Sequence, residues 1–290
     1  MKASAVVAVA LLLCAGCSKK PQGPGRIVTL DSDVVGLSGL SRDEHGAFWA
    51  PGERADAVLR IDPDTFAVTR YPVVGAPEGV DLEALAWIDG VRFVLGTETQ
   101  EAGRTRDVIL DGRLAGDRFR ITPIGDLAYA RWRLTAEDNH GIEGVCHVDG
   151  LLIFATELVE ERGQRRWAPL AMFDPKTQTW TAHRVALSSD TGKLAALDCR
   201  ERGGVVEALA VERHYGVSRL IGFSVPRGSE PRWIEPTVVA DLSKLVTPLP
   251  NFEGLAWLDD GSAVLLTDNR YRGIAREPSR LYFIPASAMQ

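Results

Sequence analysis

Short apolar runs recur in pairs along this chain, and each pair is split by residues that favour a tight turn. Ser38-Gly39-Leu40 leads into Gly46-Ala47-Phe48-Trp49-Ala50, and Glu83-Ala84-Leu85-Ala86-Trp87 into Val91-Arg92-Phe93-Val94-Leu95. Glu143-Gly144-Val145 leads into Leu151-Leu152-Ile153-Phe154, and Ala195-Ala196-Leu197 into Val205-Val206-Glu207-Ala208-Leu209. Glu253-Gly254-Leu255-Ala256-Trp257 leads into Ala263-Val264-Leu265-Leu266. The separating residues are Asp43-Glu44-His45-Gly46, Asp89-Gly90, Asp149-Gly150, Arg202-Gly203-Gly204 and Asp259-Asp260-Gly261. Asp-Gly and Gly-Gly tolerate positive φ and close β-hairpins, so each segment is expected to be one.

A second hairpin follows each first one. Val58–Ile61 turns at Asp62-Pro63-Asp64 into Ala67–Tyr71, and Leu170–Phe173 turns at Asp174-Pro175-Lys176 into Thr179–Ala182. Arg219–Phe223 is expected to pair with Thr237–Val239, and Val108–Leu110 with Phe119–Ile121. Two hairpins make a four-stranded blade. The repeated signatures start at 38, 83, 143, 195 and 253, a spacing that suits propeller blades. No helix-length stretch of period 3.6 interrupts them.

The last repeat offers one outer strand, Arg280–Ile284, and the domain begins with a lone strand, Arg26–Leu30. Pairing them would close the ring and remove two exposed edges. The expectation is an all-β chain, a β-propeller of five four-stranded blades closed by its N- and C-terminal strands. A sixth blade would have to hide, degenerate, in a long connecting loop.

The ends add a location. Lys2 precedes an uncharged apolar run, Ala3–Leu13, and then Cys14-Ala15-Gly16-Cys17. This has the form of a secretory leader, too short to span a bilayer comfortably. It resembles the bacterial lipoprotein type in which a cysteine after Ala-Gly is acylated. Residues 1–17 are read as that leader with Cys17 lipidated, 18–26 as a flexible tether and 27–290 as one domain. An ordinary cleaved leader is the alternative. The expected location is the bacterial cell envelope, lipid-anchored, in the outer membrane with the domain facing the periplasm or the surface. The bilayer is then a partner through Cys17, and the chain is expected to be a monomer.

Hydrophobic content of 45% and charged content of 25% are ordinary for a globular domain. A net charge of −6 argues against a nucleic-acid surface, because phosphate backbones need clustered Lys and Arg.

The candidate chemistry lies where the first strand of each blade begins and the second ends, both on the top face of a propeller. The signature position reads Ser38, Glu83, Glu143, Ala195 and Glu253; the end of the second strand reads Glu53, Glu98, Glu157, Glu212 and Asp268. Only 39 of 290 residues are Asp or Glu, so five acids in a second ring is not chance. Converging carboxylates need a cation, and a hard divalent ion with oxygen ligands supplies one. Ser38, Glu83, Glu143 and Glu253 are the candidate ligands of one calcium ion at the top of the channel. The competing reading of both rings is structural, with acids accepting backbone N–H bonds or pairing with Arg54, Arg213 and Arg270 beside them.

Those same arginines, with Arg104 and Arg272, suit capture of a phosphate or carboxylate, or are solvated surface. His140, three residues before Glu143, is a candidate general acid or base, or a polar loop residue. Cys146 and Cys199 stand on neighbouring inner strands and are either bonded or two small core residues. Trp87 and Trp257, each four after a signature Glu, read as packing between blades.

Gly36-Leu37-Ser38-Gly39-Leu40-Ser41, Asp81-Leu82-Glu83-Ala84-Leu85, Gly141-Ile142-Glu143-Gly144-Val145 and Asn251-Phe252-Glu253-Gly254-Leu255-Ala256 with Thr267-Asp268-Asn269 together resemble the family called esterase-like activity of phytase. The resemblance spans about residues 35–286. The chain is also similar to envelope propellers regulated by quorum-sensing receptors and, more distantly, to calcium-activated nucleotidases. The resemblance implies a phosphoesterase or esterase, metal-assisted, with a phosphorylated small molecule as the expected substrate. The alternative is a non-catalytic propeller that binds a ligand or an envelope protein and carries a structural calcium ion. Ala195 departs from the acid pattern, which leaves either an open metal position or a copy without chemistry.

Overall fold

A computed structural model describes residues 24–137, 140–268 and 277–289. The leader with Cys17, most of the tether, Arg270 and Arg272 lie outside the described residues.

Each expected hairpin is present. Blade one holds Ser41–Arg42, Phe48–Pro51, Ala57–Ile61 and Val68–Val74. Blade two holds Val80–Asp89, Arg92–Thr99, Arg106–Ala115 and Arg118–Ala128. Blade three holds Ile142–Val148, Leu151–Thr156, Arg165–Asp174 and Thr179–Ala186. Blade four holds Lys193–Arg202, Val205–His214, Val217–Val225 and Thr237–Asp241. Blade five holds Phe252–Trp257, Ala263–Thr267 and Arg280–Ile284. Its fourth strand is Arg26–Thr29, in antiparallel register from Arg26↔Phe283 to Thr29↔Arg280. The turns behave as their chemistry requires; Asp149 and Gly150, for example, take φ of 50° and 78°.

Five apolar clusters fill the five gaps between neighbouring blades. Leu59 and Ile61 of blade one meet Val264 and Leu281 of blade five. Trp49 and Val58 meet Leu85 and Phe93 of blade two. Val94 and Ile109 meet Val145 and Phe154 of blade three. Leu170 meets Leu194 and Ile221 of blade four. Leu209 and Leu220 meet Leu255 and Leu265 of blade five. Successive strand residues point to opposite faces, so Leu265 serves one interface while Val264 and Leu266 serve the next. A ring with as many interfaces as blades is closed. Among the described residues, five four-stranded blades form this all-β propeller, with single 3-10 turns as its helical segments.

Two pairings run beyond the repeat. The outer strands of blades one and two join in parallel, Val73↔Phe119 and Val74↔Arg120. Trp233–Ile234, in the last connection of blade four, adds in parallel to the outer strand of blade three.

At the axis the inner strands nearly touch. A Cβ on Gly144 would stand 2.5 Å from Leu197 Cβ, and one on Gly254 would stand 2.8 Å from the Gly39 carbonyl oxygen. This crowding explains why a Gly or Ala follows every signature residue. The same convergence brings Cys146 and Cys199 to a Cα separation of 5.8 Å, and they are bonded. Trp87 packs against the cluster between blades one and two, and Trp257 against the cluster between blades four and five, as expected. The backbone N–H of Trp87 donates to Ser41 Oγ at 2.9 Å, and the backbone N–H of Trp257 donates to Asp198 Oδ2 at 2.6 Å.

Candidate functional site

The signature residue is not an ordinary ladder residue. In blades two to five the inner strand slips register between Leu82 and Ala84, Ile142 and Gly144, Leu194 and Ala196, and Phe252 and Gly254. The residue skipped each time is Glu83, Glu143, Ala195 or Glu253. Such a bulge takes one residue out of the pairing and re-aims its side chain. Three of the four bulges therefore present a buried carboxylate, and the fourth presents a methyl group. Ser38 of blade one is buried, and its hydroxyl donates to the Glu83 carbonyl oxygen at 2.7 Å, which fastens blade one to blade two.

The bulges also fix which residues form the second ring. Two places before each signature, the inner strand faces the end of the second strand. Gly36 accepts from the Glu53 N–H, Gly141 from the Glu157 N–H and Asn251 from the Asp268 N–H. Asp81 stands opposite Glu98, and Lys193 opposite Arg213. The ring is thus Glu53, Glu98, Glu157, Arg213 and Asp268. Glu212, expected as its fourth member, stands one place short, opposite Leu194. It is fully buried and accepts the Ser188 N–H at 2.8 Å and the Ser189 hydroxyl at 2.6 Å. Its role is to pin the loop that leads into Lys193.

The top face is consequently polarised. Blades one, two, three and five supply acids; blade four supplies two cations. The Arg213 guanidinium pairs with both oxygens of Glu253 and also reaches the Phe252 carbonyl. It does not pair with its sequence neighbour Glu212. Burial works against the Arg213 charge, but Glu253, then Glu157 and Glu143, outweigh it and raise its pKa. Asn251 Nδ2 donates to Glu253 at 2.8 Å and to Asp268 at 3.2 Å.

Among the described residues, Glu83, Glu143, Glu98 and Glu157 have no such ion pair, and all four keep raised pKa values. Burial, then Glu143, Glu98, Glu53 and Glu253, push Glu83 well above the usual carboxylate range. Burial, then Glu157, Glu98 and Glu253, do the same to Glu143, with Arg213 opposing. Glu98 is pushed up to about 8 by burial and then by Glu157. Glu157 is raised to about 7 by burial, with Lys193 and Arg213 working against it.

His140 joins this face. Its Nε2 contacts Lys193 Nζ and lies 3.8 Å from Glu157 Oε2; Lys193 Nζ lies 3.8 Å from the same oxygen. All three side chains are partly exposed at the mouth. Below it the inner strands close around Gly39, Ala84, Glu143 and Ala196 and leave no room for a water molecule.

The other arginines are placed differently. Arg54 is exposed. Arg104 is buried in a clamp, with Nε and one terminal nitrogen on Asp107 at 2.6 and 3.0 Å and its remaining donors on the carbonyls of Glu101, Glu137 and His140. Tyr129 also bonds Asp107. This clamp holds the loop that carries His140.

Of the four residues expected to ligate calcium, Ser38 and Glu253 already have protein partners. A different group fits a cation better. Carboxylate oxygens of Asp81, Glu83 and Glu98 lie within 4.8 Å of one another. Ligands on opposite sides of a calcium ion are about 5 Å apart, given Ca–O distances near 2.4 Å. Sequence reasoning missed Asp81 and Lys193, because neither position carries meaning until the bulge sets the register.

Residues 32–271 match the model of the Phytase-like family, described as esterase-like activity of phytase. The chain belongs to this family. No curated protein matches its sequence. Among solved structures, this phytase-like chain is similar to a putative oxidoreductase (glucose dehydrogenase) from Thermus thermophilus. The identity is 11%, the TM-score 0.52, and the match covers 89% of this chain and 99% of that one. The PQQ-bound aldose sugar dehydrogenase of Streptomyces coelicolor is similar at 11% identity and TM-score 0.51, covering 90% and 99%. A further glucose dehydrogenase is similar at 12% identity and TM-score 0.54, with the same coverage. At these identities the likeness is one of fold, and the phytase-like chain shares the propeller architecture with them.

Proposed function

We propose that this phytase-like propeller is an exported hydrolase of phosphoric esters, dependent on a divalent cation and acting at the mouth of its channel. The observation that carries the reading is the polarised top face, where Lys193 and Arg213 of one blade stand beside the acids Glu157 and Glu253 of its neighbours. An anionic ester cannot approach a ring of carboxylates alone. It can approach one that has a cationic blade on one side and a metal ion on the other.

The residues then divide the work. Lys193 holds a phosphoryl oxygen as a point charge. His140, oriented by Lys193 and Glu157, takes a proton from the attacking water. The new P–O bond forms as the ester P–O bond breaks, and the leaving oxygen collects a proton from the solvent or a protonated ring acid. Glu157, near pH 7 in its proton affinity, is matched to proton transfer at neutral pH. A bound divalent ion would polarise the phosphoryl oxygen. Export to an oxidising compartment is supported by the Cys146–Cys199 bond, since cytosolic thiols are kept reduced; anchoring through Cys17 rests on the leader sequence alone.

The test is phosphate release from p-nitrophenyl phosphate and from nucleotides, with calcium, magnesium or manganese added to metal-stripped protein. We expect metal-dependent turnover that falls about 100-fold or more in Lys193→Met and in His140→Asn, the scale of a lost acid–base group. Absence of turnover with every metal, or unchanged rates in both variants, would overturn the reading. A binding propeller with a structural ion would then take its place.

A further inference from the structure

We infer a divalent-cation site on blade two, formed by the carboxylates of Asp81, Glu83 and Glu98. Two independent observations point to it. The three groups offer oxygens mutually within 4.8 Å, the spread that a calcium coordination sphere spans. In addition Glu98 is only 3% exposed, yet its Oε2 is buried with no hydrogen-bond partner. A carboxylate oxygen taken from water and left unbonded costs free energy that a native fold rarely leaves uncompensated.

Among the described residues no protein cation bonds that oxygen. Arg104 is the positive group acting most on Glu98, but its five N–H donors are all spent on Asp107 and three carbonyls. Arg213 is committed to Glu253 in blade five.

The blades explain why the site falls here. The position two before the signature is Gly36, Gly141, Lys193 or Asn251 in the other blades, and Asp81 in blade two alone. Asp81 is in direct register with Glu98, and the bulge at Glu83 turns a third carboxylate toward the same end of the hairpin. Blade four inverts this arrangement, with Lys193 in register with Arg213. One blade is built to bind a cation and another to replace it. An all-carboxylate donor set selects a hard ion such as calcium, magnesium or manganese over softer metals.

The site stands whether or not the mouth hydrolyses an ester. Its test is titration calorimetry with calcium, magnesium and manganese on the mature, chelator-stripped chain, with the melting temperature read in parallel. One ion per chain is expected, with a rise in melting temperature on binding. The double variant Asp81→Asn/Glu98→Gln should bind at least 100-fold more weakly and show no thermal response, while Glu253→Gln keeps both. Circular dichroism identifies variants that fail to fold, and the single Asp81→Asn variant then carries the test. If no ion binds the wild type, or if Glu253→Gln abolishes binding while the blade-two variants retain it, the site is wrong. Binding without hydrolysis would remove the enzyme reading and leave this site intact.

Discussion

Arg213 of blade four holds the carboxylate of Glu253 in blade five, and it does so from the ring position that the other four blades fill with an acid. The missing acid at Ala195 and the presence of Arg213 are therefore one feature. A methyl group at the bulge leaves blade four without a charge of its own to neutralise, so its cation serves the neighbouring blade.

Arg213→Met should leave Glu253 buried without its main partner. Removing one member of a buried ion pair typically costs about 3–5 kcal/mol. Urea denaturation should show a loss of that order, and Arg213→Met/Glu253→Gln should recover part of it, because the double change leaves no orphan charge. A single-variant cost under about 1 kcal/mol would show that the pair is solvated and contributes little.

The Cys146–Cys199 bond joins the inner strands of blades three and four and closes a loop with a sequence separation of 53. Restricting the unfolded chain by a loop of that length is worth about 4 kcal/mol in the chain-entropy model. Cys146→Ser/Cys199→Ser should therefore lower unfolding free energy by about 2–4 kcal/mol, read by denaturant titration. Wild-type protein treated with a reductant should move toward the same value. Equal stability of reduced and oxidised protein would contradict this.

Crowding at the axis makes its own prediction. Gly144→Ala would place a methyl group 2.5 Å from Leu197 Cβ and 2.8 Å from Leu197 N. Backbone atoms must shift to admit it, at a cost of about 1–3 kcal/mol. Gly125→Ala in an outer strand of blade two is the control, since nothing lies within 4 Å of its would-be Cβ. Thermal melts should separate the two variants by several degrees, and coincident melts would refute the packing argument.

Much of this fold could be read from the chain because hairpins are local. Asp149-Gly150 and its counterparts mark turns by backbone chemistry alone, and the lone strands at Arg26 and Arg280 imply their own pairing. Register was harder to read. The bulge at each signature residue shifts the inner strand by one place, so Glu212 looked like a ring acid when the ring holds Arg213. Lys193 and Asp81 were overlooked for the same reason. Nor does local pattern announce contacts made between blades, such as the Arg104 clamp on Asp107 or the parallel pairing of Val73 with Phe119. They depend on where the ring places segments far apart in sequence.

His183 lies away from the ring and gives a pH signature of its own. It is fully buried in the outer strand of blade three, and its Nδ1 accepts the Arg232 N–H at 3.2 Å. Burial, then the Arg232 charge, push its pKa from 6.5 down to about 4. The folded state thus binds fewer protons than the unfolded chain between these values. The stabilisation is complete above pH 6.5 and is lost as pH falls toward 4, at up to about 1.4 kcal/mol per pH unit. The buried ring acids respond in the opposite sense, so the total curve mixes both effects. His183→Asn keeps an acceptor near the Arg232 N–H and removes the titration. Subtracting its unfolding free energy from that of the wild type at each pH should give a difference that falls by about 3 kcal/mol from pH 7 to pH 4. A difference that stays flat across this range would mean that His183 takes up its proton as readily in the folded protein as in the unfolded chain.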